Sequence, residues 1–584
     1  MTACKRNAGR EDLQDPNASL LVVQATIDDA ENVDLNSPFD AKGNIERSTR
    51  LSGKSDLTNF ENSANYIEGD GFDVITSVSS SWKGQEMNGT PALANSSETL
   101  PRATSPMTAG FKYRLVLYKV VGGTQTFWRQ KQLTSSASNV VDTTQQIEVV
   151  RGDSYQWYAY SYNNANDIPP IATTGSNPAV SMGTNSDFLY ATGTFTILPT
   201  GAANTPLAIN FRHQVARLAV EIDARGMFAD NITQLGITVG GIAGGSSPLT
   251  TGTFNLATAQ VSNPTAYTPT TTFTVANFQN VDAGFNDRKA IYFYSATEAS
   301  FPALSVNLTG VTITMTDGNT TRAFTGLNRS FSFNTSGAMT AGRTYNAKID
   351  LIESPLTVAG STVRWARTNL YLNPSERNRY RFYATYAHTN ARESYWSFRG
   401  DIPTMFGVTG DPCTSVHPTS RPEDGLSVWR QATVADFNTL GTSGLLGSTG
   451  PSQSVVYNTV GGLGYYEYAA SGTGSPQFPS SNLRFNMNGS GTAVGLVAGA
   501  VTINIGITGY GTEARVWTQD RLLDVGGLLG LGAYSFRATR VPAVPLVTSA
   551  YNSIVPNVLE TLSLGVLGAG LLESPFLNVR CVRR

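Results

Sequence analysis

The feature that most constrains this chain is a succession of short strand-like segments over its first 350 residues. Clusters of Gly, Asn, Ser and Thr separate them, and apolar side chains alternate with polar ones inside them, as at 111–121, 155–162 and 345–352. A helical segment of any length is hard to find in this part. Period-two alternation with frequent turn residues is typical of antiparallel sheets. The sequence therefore predicts a mainly β fold that begins with two β-sandwiches in series.

One alternating segment, residues 207–223, changes parity between Val215 and Leu218. This pattern predicts a single long strand with a β-bulge near Ala216. His213 lies in this strand between apolar neighbours, and no second histidine or cysteine stands at metal-ligand spacing from it. We therefore interpret His213 as a structural, hydrogen-bonded histidine.

A composition change near residue 350 marks a further domain. Lys348 is the last lysine, and all later basic residues are arginines. We place the boundary near Pro355, and we predict one helix over residues 433–440, capped by Thr433 with Asp436 at the third helical position.

Composition and motifs exclude several classes of function. Charged residues make up 14% of the 584 residues and the net charge is −2, so no nucleic-acid partner is predicted. No nucleophile elbow, phosphate-binding loop or calcium loop is present. The chain is therefore predicted to be no enzyme and to bind no metal or cofactor.

The three cysteines divide into one and two. Cys4 follows Thr2 and Ala3, which matches the end of a bacterial lipobox, where the cysteine is acylated. The apolar part of a signal peptide does not precede it, so a longer precursor is expected; the alternative is a chance match. Cys413 and Cys581 remain as an even pair, most simply a disulfide in an exported protein.

The N-terminal region contains one strand-like run and then a long polar stretch. The apolar members of the run are Leu20, Leu21, Val22, Val23 and Ile27. The polar stretch 28–65 contains Arg47 and Arg50 and is typical of a protease-accessible loop.

Residues 1–352 resemble the fimbrillin family of Bacteroidetes, the subunits of type V pili. The resemblance rests on an ordered set of segments, which are Thr49-Arg50 before 66–70, the strand 112–118, the Gly-x-x-Tyr segment 152–163, the Phe-x-His-x-x-Ala strand 207–220 and Gly342-Arg-Thr-Tyr345.

This resemblance implies a lipoprotein leader and removable first strand over 1–50, a first sandwich over 51–205 and a second over 206–352. It also implies cleavage by an arginine-specific protease, at Arg50 or alternatively at Arg47. Removal of the strand at 20–27 would then let a strand of another subunit take its place, which is donor-strand exchange.

Residues 353–584 resemble the Fibrobacter succinogenes major paralogous domain. The matching segments are 363–370, 410–413, Trp429-Arg430 with Thr433, and 578–583. The usual Leu-Pro-Thr after Trp-Arg is Gln431-Ala432-Thr433 here, which departs from the pattern. The resemblance implies a mixed α+β, C-type-lectin-like fold.

Aromatic side chains in this last domain are candidates for ligand binding. Trp396, Tyr465 and Tyr466 stand in loop-like sequence, and aromatic faces next to polar groups bind sugars and peptides. The alternative is that they belong to the core.

These features together predict a tip or accessory subunit of a type V pilus. Its precursor would be an outer-membrane lipoprotein, held by lipid at Cys4, and the mature protein would lie in the fimbrium at the cell surface. Its partners would be other fimbrillin subunits and a host or bacterial surface glycan or protein. The alternative is a lipid-anchored glycan- or peptide-binding lipoprotein that does not polymerise.

Overall fold

The computed structural model describes residues 18–28, 65–81, 105–136, 145–296, 304–333, 339–404, 410–521, 533–540, 550–557 and 575–584, with short gaps inside several of these ranges. The chain is mainly β over these residues, as predicted. Among them, no helix has both the length and the apolar character needed to span a membrane.

The strands up to residue 213 are β1 (Ala18–Ile27), β2 (Asn65–Ile67), β3 (Phe72–Ser81), β4 (Ser105–Pro106), β5 (Lys112–Val121), β6 (Thr124–Thr134), β7 (Ile147–Val150), β8 (Ser154–Ser161), β9 (Ala179–Ser181), β10 (Leu189–Thr196) and β11 (Asn204–His213).

The strands between residues 216 and 353 are β12 (Ala216–Gly226), β13 (Asn231–Gly241), β14 (Thr250–Asn255), β15 (Gln260–Ala266), β16 (Phe273–Thr274), β17 (Gln279–Asn280), β18 (Arg288–Ser295), β19 (Leu304–Met315), β20 (Thr320–Phe324), β21 (Arg329–Phe333) and β22 (Thr344–Glu353).

The later strands are β23 (Leu356–Val358), β24 (Arg364–Trp365), β25 (Leu370–Leu372), β26 (Tyr380–Phe382), β27 (Trp429–Gln431), β28 (Thr442–Gly444), β29 (Gly447–Thr449), β30 (Gln453–Tyr457), β31 (Gly464–Ser471), β32 (Asn482–Asn486), β33 (Ser490–Val497), β34 (Ala500–Thr508), β35 (Glu513–Arg521), β36 (Ala533–Arg540), β37 (Ala550–Asn557), β38 (Pro575–Phe576), β39 (Asn578–Val579) and β40 (Cys581–Arg583). The one α-helix described is α1 (Val434–Asn438), and short 3₁₀ helices occur at Val275–Asn277, Arg392–Ser394 and Pro412–Ser415.

The first unit is a single eight-stranded sheet formed by β1, β4–β8, β10 and β11. It curves round an apolar core that includes Leu21, Leu115 and Phe211. The two ends of the sheet meet, because the indole of Trp128 in β6 donates a hydrogen bond to the carbonyl of Glu148 in β7 at 3.3 Å. A separate two-sheet sandwich, as predicted, is therefore not what this segment forms.

The second unit consists of two sheets that face each other across one core. One sheet has the order β17-β18-β12-β22-β3-β2, and the other contains β13, β16 and β19–β21. Phe72, Val220 and Leu351 come from the first sheet, and Ile237 and Leu308 come from the second.

The strand pairing differs from the predicted boundary between residues 205 and 206. The hairpin β2–β3 pairs with β22 and therefore belongs to the second unit, although it precedes the first unit's other strands. β11 pairs with β1 and β10 in the first sheet. The chain does not continue from β11 into β12 as one bulged strand, because it breaks at Gln214 and Val215 and enters a different sheet. Alternation predicts a strand but not its distant partner.

The C-terminal module comprises β23–β40 and α1. The predicted helix is confirmed as α1. The Thr433 hydroxyl accepts a hydrogen bond from the backbone N–H of Asp436, and the Asp436 carboxylate accepts one from the backbone N–H of Thr433, which forms a capping box. An apolar cluster joins the module to the second unit, with Ile75, Phe228 and Ile352 from that unit packed among Trp396, Trp429 and their module neighbours. The C-type-lectin-like fold of this module stays a prediction.

Candidate functional site

The predicted removable strand forms β1, which lies inside the first sheet. It runs parallel to β11, from Leu20 opposite Asn204 to Ile27 opposite Phe211. On its other side it runs antiparallel to β7 and to β4. In the described part of the chain, β4 and β7 have no strand partner except β1. Its loss would therefore open the sheet on both sides of one slot.

Alternate side chains of β1 point into the core. Leu21 and Ile27 are 0% and 5% exposed, and Ser19 is 1% exposed. Val23 and Ala25 pack partly buried against the same cluster, whereas Gln24 is exposed. The slot is therefore an apolar groove with unpaired backbone groups whenever β1 is absent, which is the kind of edge that recruits another strand.

The residues predicted for anchoring and processing lie outside the described part of the chain. These are Cys4, Arg47 and Arg50, and their roles stay predictions. The next described element after them is the hairpin β2–β3, which is in the second unit.

The predicted disulfide is present. Cys413 and Cys581 are bonded with their Cα atoms 5.7 Å apart, and both side chains are fully buried. Cys581 opens β40, which lies between β27 and β24 in a sheet of the module.

The residues after this disulfide reach the second unit. Arg583 donates hydrogen bonds to Asp73 Oδ2 at 2.9 Å and to the carbonyl of Glu353 at 2.8 Å. Its guanidinium also lies 4.2 Å from the ring centre of Trp429. Arg583 and Asp73 are only 2% exposed, so this contact is part of the interior.

The three candidate binding aromatics do not form a surface site. Trp396 and Tyr466 are fully buried, and Tyr465 is 8% exposed. Trp396 packs in the core that joins the module to the second unit, and Tyr465 is covered by the guanidinium of Arg484, whose carbon lies 3.6 Å from the ring centre. The surface-site prediction is wrong because loop-like composition around these residues does not reveal the strands that bury them.

Two histidines have carboxylate partners. His213 Nδ1 lies 2.7 Å from Asp187 Oδ1, which supports its structural interpretation. His417 Nε2 lies 3.4 Å from Asp223 Oδ2, at the contact between the module and the second unit.

The group around Asp223 is a buried ion-pair network. The carboxylates of Asp223 and Asp350 and the ring of His417 lie close enough together to ligate a metal ion. Lys348 Nζ already lies 3.2 Å from Asp223 and 2.7 Å from Asp350, and Arg225 lies 2.6 Å from Asp223. The positive charges of the protein thus balance these carboxylates, as a bound cation otherwise would.

Burial sets the pKa values in this network. It raises the pKa of Asp350 to about 7, against the attraction of Lys348. Burial also lowers the pKa of His417, although Asp223 pulls in the other direction. For Asp223 burial alone would raise the pKa, but the neighbouring ring of His417 and the charge of Lys348 outweigh it and hold the pKa well below its usual range.

A comparison with protein families identifies a family to which part of this chain is similar. Residues 131–365 match the family described as Fimbrillin-like. Over these residues, which make up less than half of the chain, the sequence is similar to that family. The match starts in β6 and ends in β24, so this fimbrillin-like region spans the junction of the two units, and the predicted family resemblance is confirmed.

Partial structural similarity extends to fimbrial proteins. A fimbrial protein from Bacteroides vulgatus has 12% identity over 41% of this chain and 90% of its own, with a TM-score of 0.24. A fimbrial assembly protein from Parabacteroides distasonis has 10% identity over 41% and 82%, with a TM-score of 0.20. The fimbrial anchor protein Mfa2 from Porphyromonas gingivalis has 12% identity over 40% and 78%, with a TM-score of 0.19. No curated protein matches this chain in sequence.

The contacts that sequence reasoning missed are those of the buried arginines. Arg322, Arg367, Arg580 and Arg583 all lie in the interior. For the three that follow Lys348, the available signal is the exclusive use of arginine after that residue. Arginine suits buried pairs better than lysine, because its planar guanidinium satisfies several acceptors at once.

Proposed function

We propose that this chain is a tip or accessory subunit of a type V pilus. It accepts a donor strand from another fimbrillin subunit after proteolytic loss of β1, and it carries the C-terminal module for adhesion to a surface glycan or protein. It has no catalytic role. Its precursor is an outer-membrane lipoprotein, and its mature form lies in the fimbrium at the cell surface.

The acceptor role is supported by the place of β1. A strand that is paired along both edges and buries every second side chain leaves a complementary groove when it is lost. The path of the chain also fits removal, because the element that follows Arg50 belongs to the second unit, where pairing with β22 holds it independently of β1.

The tip assignment rests on the folding of residues 575–584 into the module, where 576–583 are buried. These residues supply β38–β40, the disulfide partner Cys581 and the buried Arg583. A donor strand must leave its own subunit and lie extended on another. Residues 575–584 do not meet this requirement, so the subunit accepts a strand here without offering this segment in return.

Digestion of the purified chain with an arginine-specific protease tests the proposal. We expect a stable core that begins at Leu51, or at Ser48 if the cut follows Arg47. The peptide that contains β1 should stay bound until mild denaturant releases it. After release, fluorescence of an apolar-surface dye should rise, and a synthetic peptide of residues 17–28 should reverse the rise. The same peptide with Leu21→Arg should not.

Three results would count against the proposal. They are the absence of a cut at either arginine, digestion of the first unit to small fragments, and a released core that ignores both peptides. The first of these would favour the alternative function, a lipoprotein that keeps Cys4 as a permanent anchor and does not polymerise.

A further inference from the structure

A small polar cavity lies in the C-terminal module between residues 383–387 and the end of β32. Its volume is about 10 Å³, which is enough for one water-sized group. The residues that matter for its chemistry are Tyr383, Tyr386, Asn486 and Arg580, and Thr385 and Ala387 are exposed at its rim.

Arg580 supplies a buried positive charge to this cavity. It is 1% exposed and donates hydrogen bonds to Asn369 Oδ1 at 2.9 Å and to the carbonyls of Ala366 and Arg484 at 2.9 and 2.6 Å. These bonds use three of the five N–H groups that a guanidinium carries. No described carboxylate pairs with Arg580, and burial lowers its pKa to about 10.

Asn486 supplies an unused acceptor. Its Nδ2 donates to the carbonyls of Tyr386 and Ala387 at 2.7 and 3.1 Å, which fixes the orientation of the amide. Its Oδ1 is buried and has no hydrogen-bond partner in the described structure, and the whole residue is only 8% exposed. A buried acceptor without a partner costs free energy, so the site favours a group that donates to it.

The two sides of the cavity together select the chemistry of a ligand. The positive charge of Arg580 would repel an ammonium group, and the lone pairs of Asn486 Oδ1 would repel a carboxylate. A hydroxyl group donates and accepts at once, so it satisfies both.

The rim of the cavity has an aromatic wall. Arg484 lies between two rings, 4.6 Å from the centre of Tyr386 and 3.6 Å from that of Tyr465, and Glu467 holds it at 2.9 Å. This stack positions Tyr386 beside the cavity. Hydroxyl anchors next to an aromatic face are the chemistry of a sugar ring.

We propose that this cavity is the anchoring subsite for a hydroxyl of a neutral carbohydrate. The inference deepens the proposed adhesion role and rests on it. It also replaces the buried candidates Trp396 and Tyr466 with a site whose rim residues Thr385 and Ala387 are exposed.

A printed array of neutral and acidic glycans, probed with the labelled full chain, tests this subsite. We expect binding to at least one neutral glycan, and a loss of about tenfold or more in apparent affinity in Asn486→Leu, because the acceptor and its fixed geometry disappear. Asn482→Leu, the same change on the same strand outside the cavity, should bind normally. Ala387→Arg, an exposed rim change that leaves the core untouched, should block binding even if Asn486→Leu folds poorly.

The outcomes separate the subsite from the proposed function. No binding to any neutral glycan, or equal binding by the wild type and both cavity variants, would overturn the subsite and leave the cavity with a structural water only. Fibre-end labelling of the same protein would then still support the pilus role. Glycan binding by a protein that is absent from fibres would keep the subsite and refute the pilus role.

Discussion

At the residue scale, the chain is organised by buried arginine–carboxylate contacts at the border between the second unit and the module. The carboxylate of Glu353, at the end of β22, forms two ion pairs. Arg322 Nη2 of the second unit lies 2.6 Å from it, and Arg367 Nε of the module lies 3.1 Å from it. Ser475 Oγ donates to it at 2.7 Å. All three charged side chains are 0% exposed, so each depends on the others for its solvation.

We predict that Glu353→Gln lowers the free energy of unfolding by about 3–5 kcal/mol, because two buried guanidinium groups lose their counter-charge. Denaturant titration followed by tryptophan fluorescence measures this. The control is Glu148→Gln, which removes the exposed partner of Arg129 and should cost less than about 1 kcal/mol. Similar costs for the two variants would contradict the buried-network account.

Asp350 gives a prediction about pH. Burial raises its pKa from the ordinary 3.8 to about 7, so the folded protein binds this proton more tightly than the unfolded chain. The contribution to stability is complete below pH 3.8 and is lost as the pH rises through about 7. Asp350→Asn should therefore remove a decline in stability between about pH 4 and pH 7. Thermal melting across this range, compared with wild type, checks it; parallel curves for both proteins would contradict it.

The burial of two aromatic residues could not be predicted from the sequence. Tyr466 lies in Gly- and Ser-rich sequence and Trp396 lies in a polar segment, and both compositions are typical of exposed loops. Both are buried because strands distant in sequence cover them, and local composition contains no information about those strands. The cavity next to Asn486 is likewise assembled from segments that are about 100 residues apart in sequence.

At the element scale, β1 is the part of the fold on which assembly depends. Its strand character follows from its apolar run, and α1 follows from its capping box, so both are predictable from sequence. The parallel pairing of β1 with β11, nearly 200 residues later in the chain, could not be predicted. Alternation specifies which face of a strand is buried but does not specify which strand pairs with it. The same limit explains why the hairpin β2–β3 could not be assigned to the second unit in advance.

We predict that Leu21→Ala destabilises the first unit of the uncleaved chain by about 2–5 kcal/mol, because a fully buried leucine leaves a cavity. Gln24→Ala, on the exposed face of the same strand, should have little effect. Hydrogen exchange of the first unit measures the wild-type chain and the two variants before cleavage. Equal protection of the Leu21→Ala and wild-type chains would contradict the burial of residue 21 in this core.

At the scale of the whole molecule, the second unit and the module share one core. Ile75, Phe228, Met315 and Ile352 of the second unit pack with module residues that include Cys413 and Cys581. Arg583 and His417 add polar contacts across the same border. This border makes us expect the two parts to unfold together. The first unit has a core of its own around Leu115, which includes no residue of the module, and a second apolar cluster packs its strands β5, β8 and β10 against Phe254 and Ala296.

Removal of the disulfide tests whether the second unit and the module unfold together. The disulfide closes a loop of 168 residues, worth roughly 5 kcal/mol at most in a chain-entropy account. We predict that Cys413→Ser lowers one calorimetric transition that contains the second unit and the module together, and has a smaller effect on the first unit, whose core around Leu115 includes no residue of the module. Separate melting of the module and the second unit would contradict a shared core.

In the proposed function, this subunit accepts a strand in its first unit and carries its module at the fibre tip. Immunogold electron microscopy of native fibres, with antibody against the C-terminal module, distinguishes a tip position from a shaft position. We expect gold at fibre ends, one cluster per labelled fibre. Gold spaced along the shaft, or confined to the cell surface away from fibres, would contradict it.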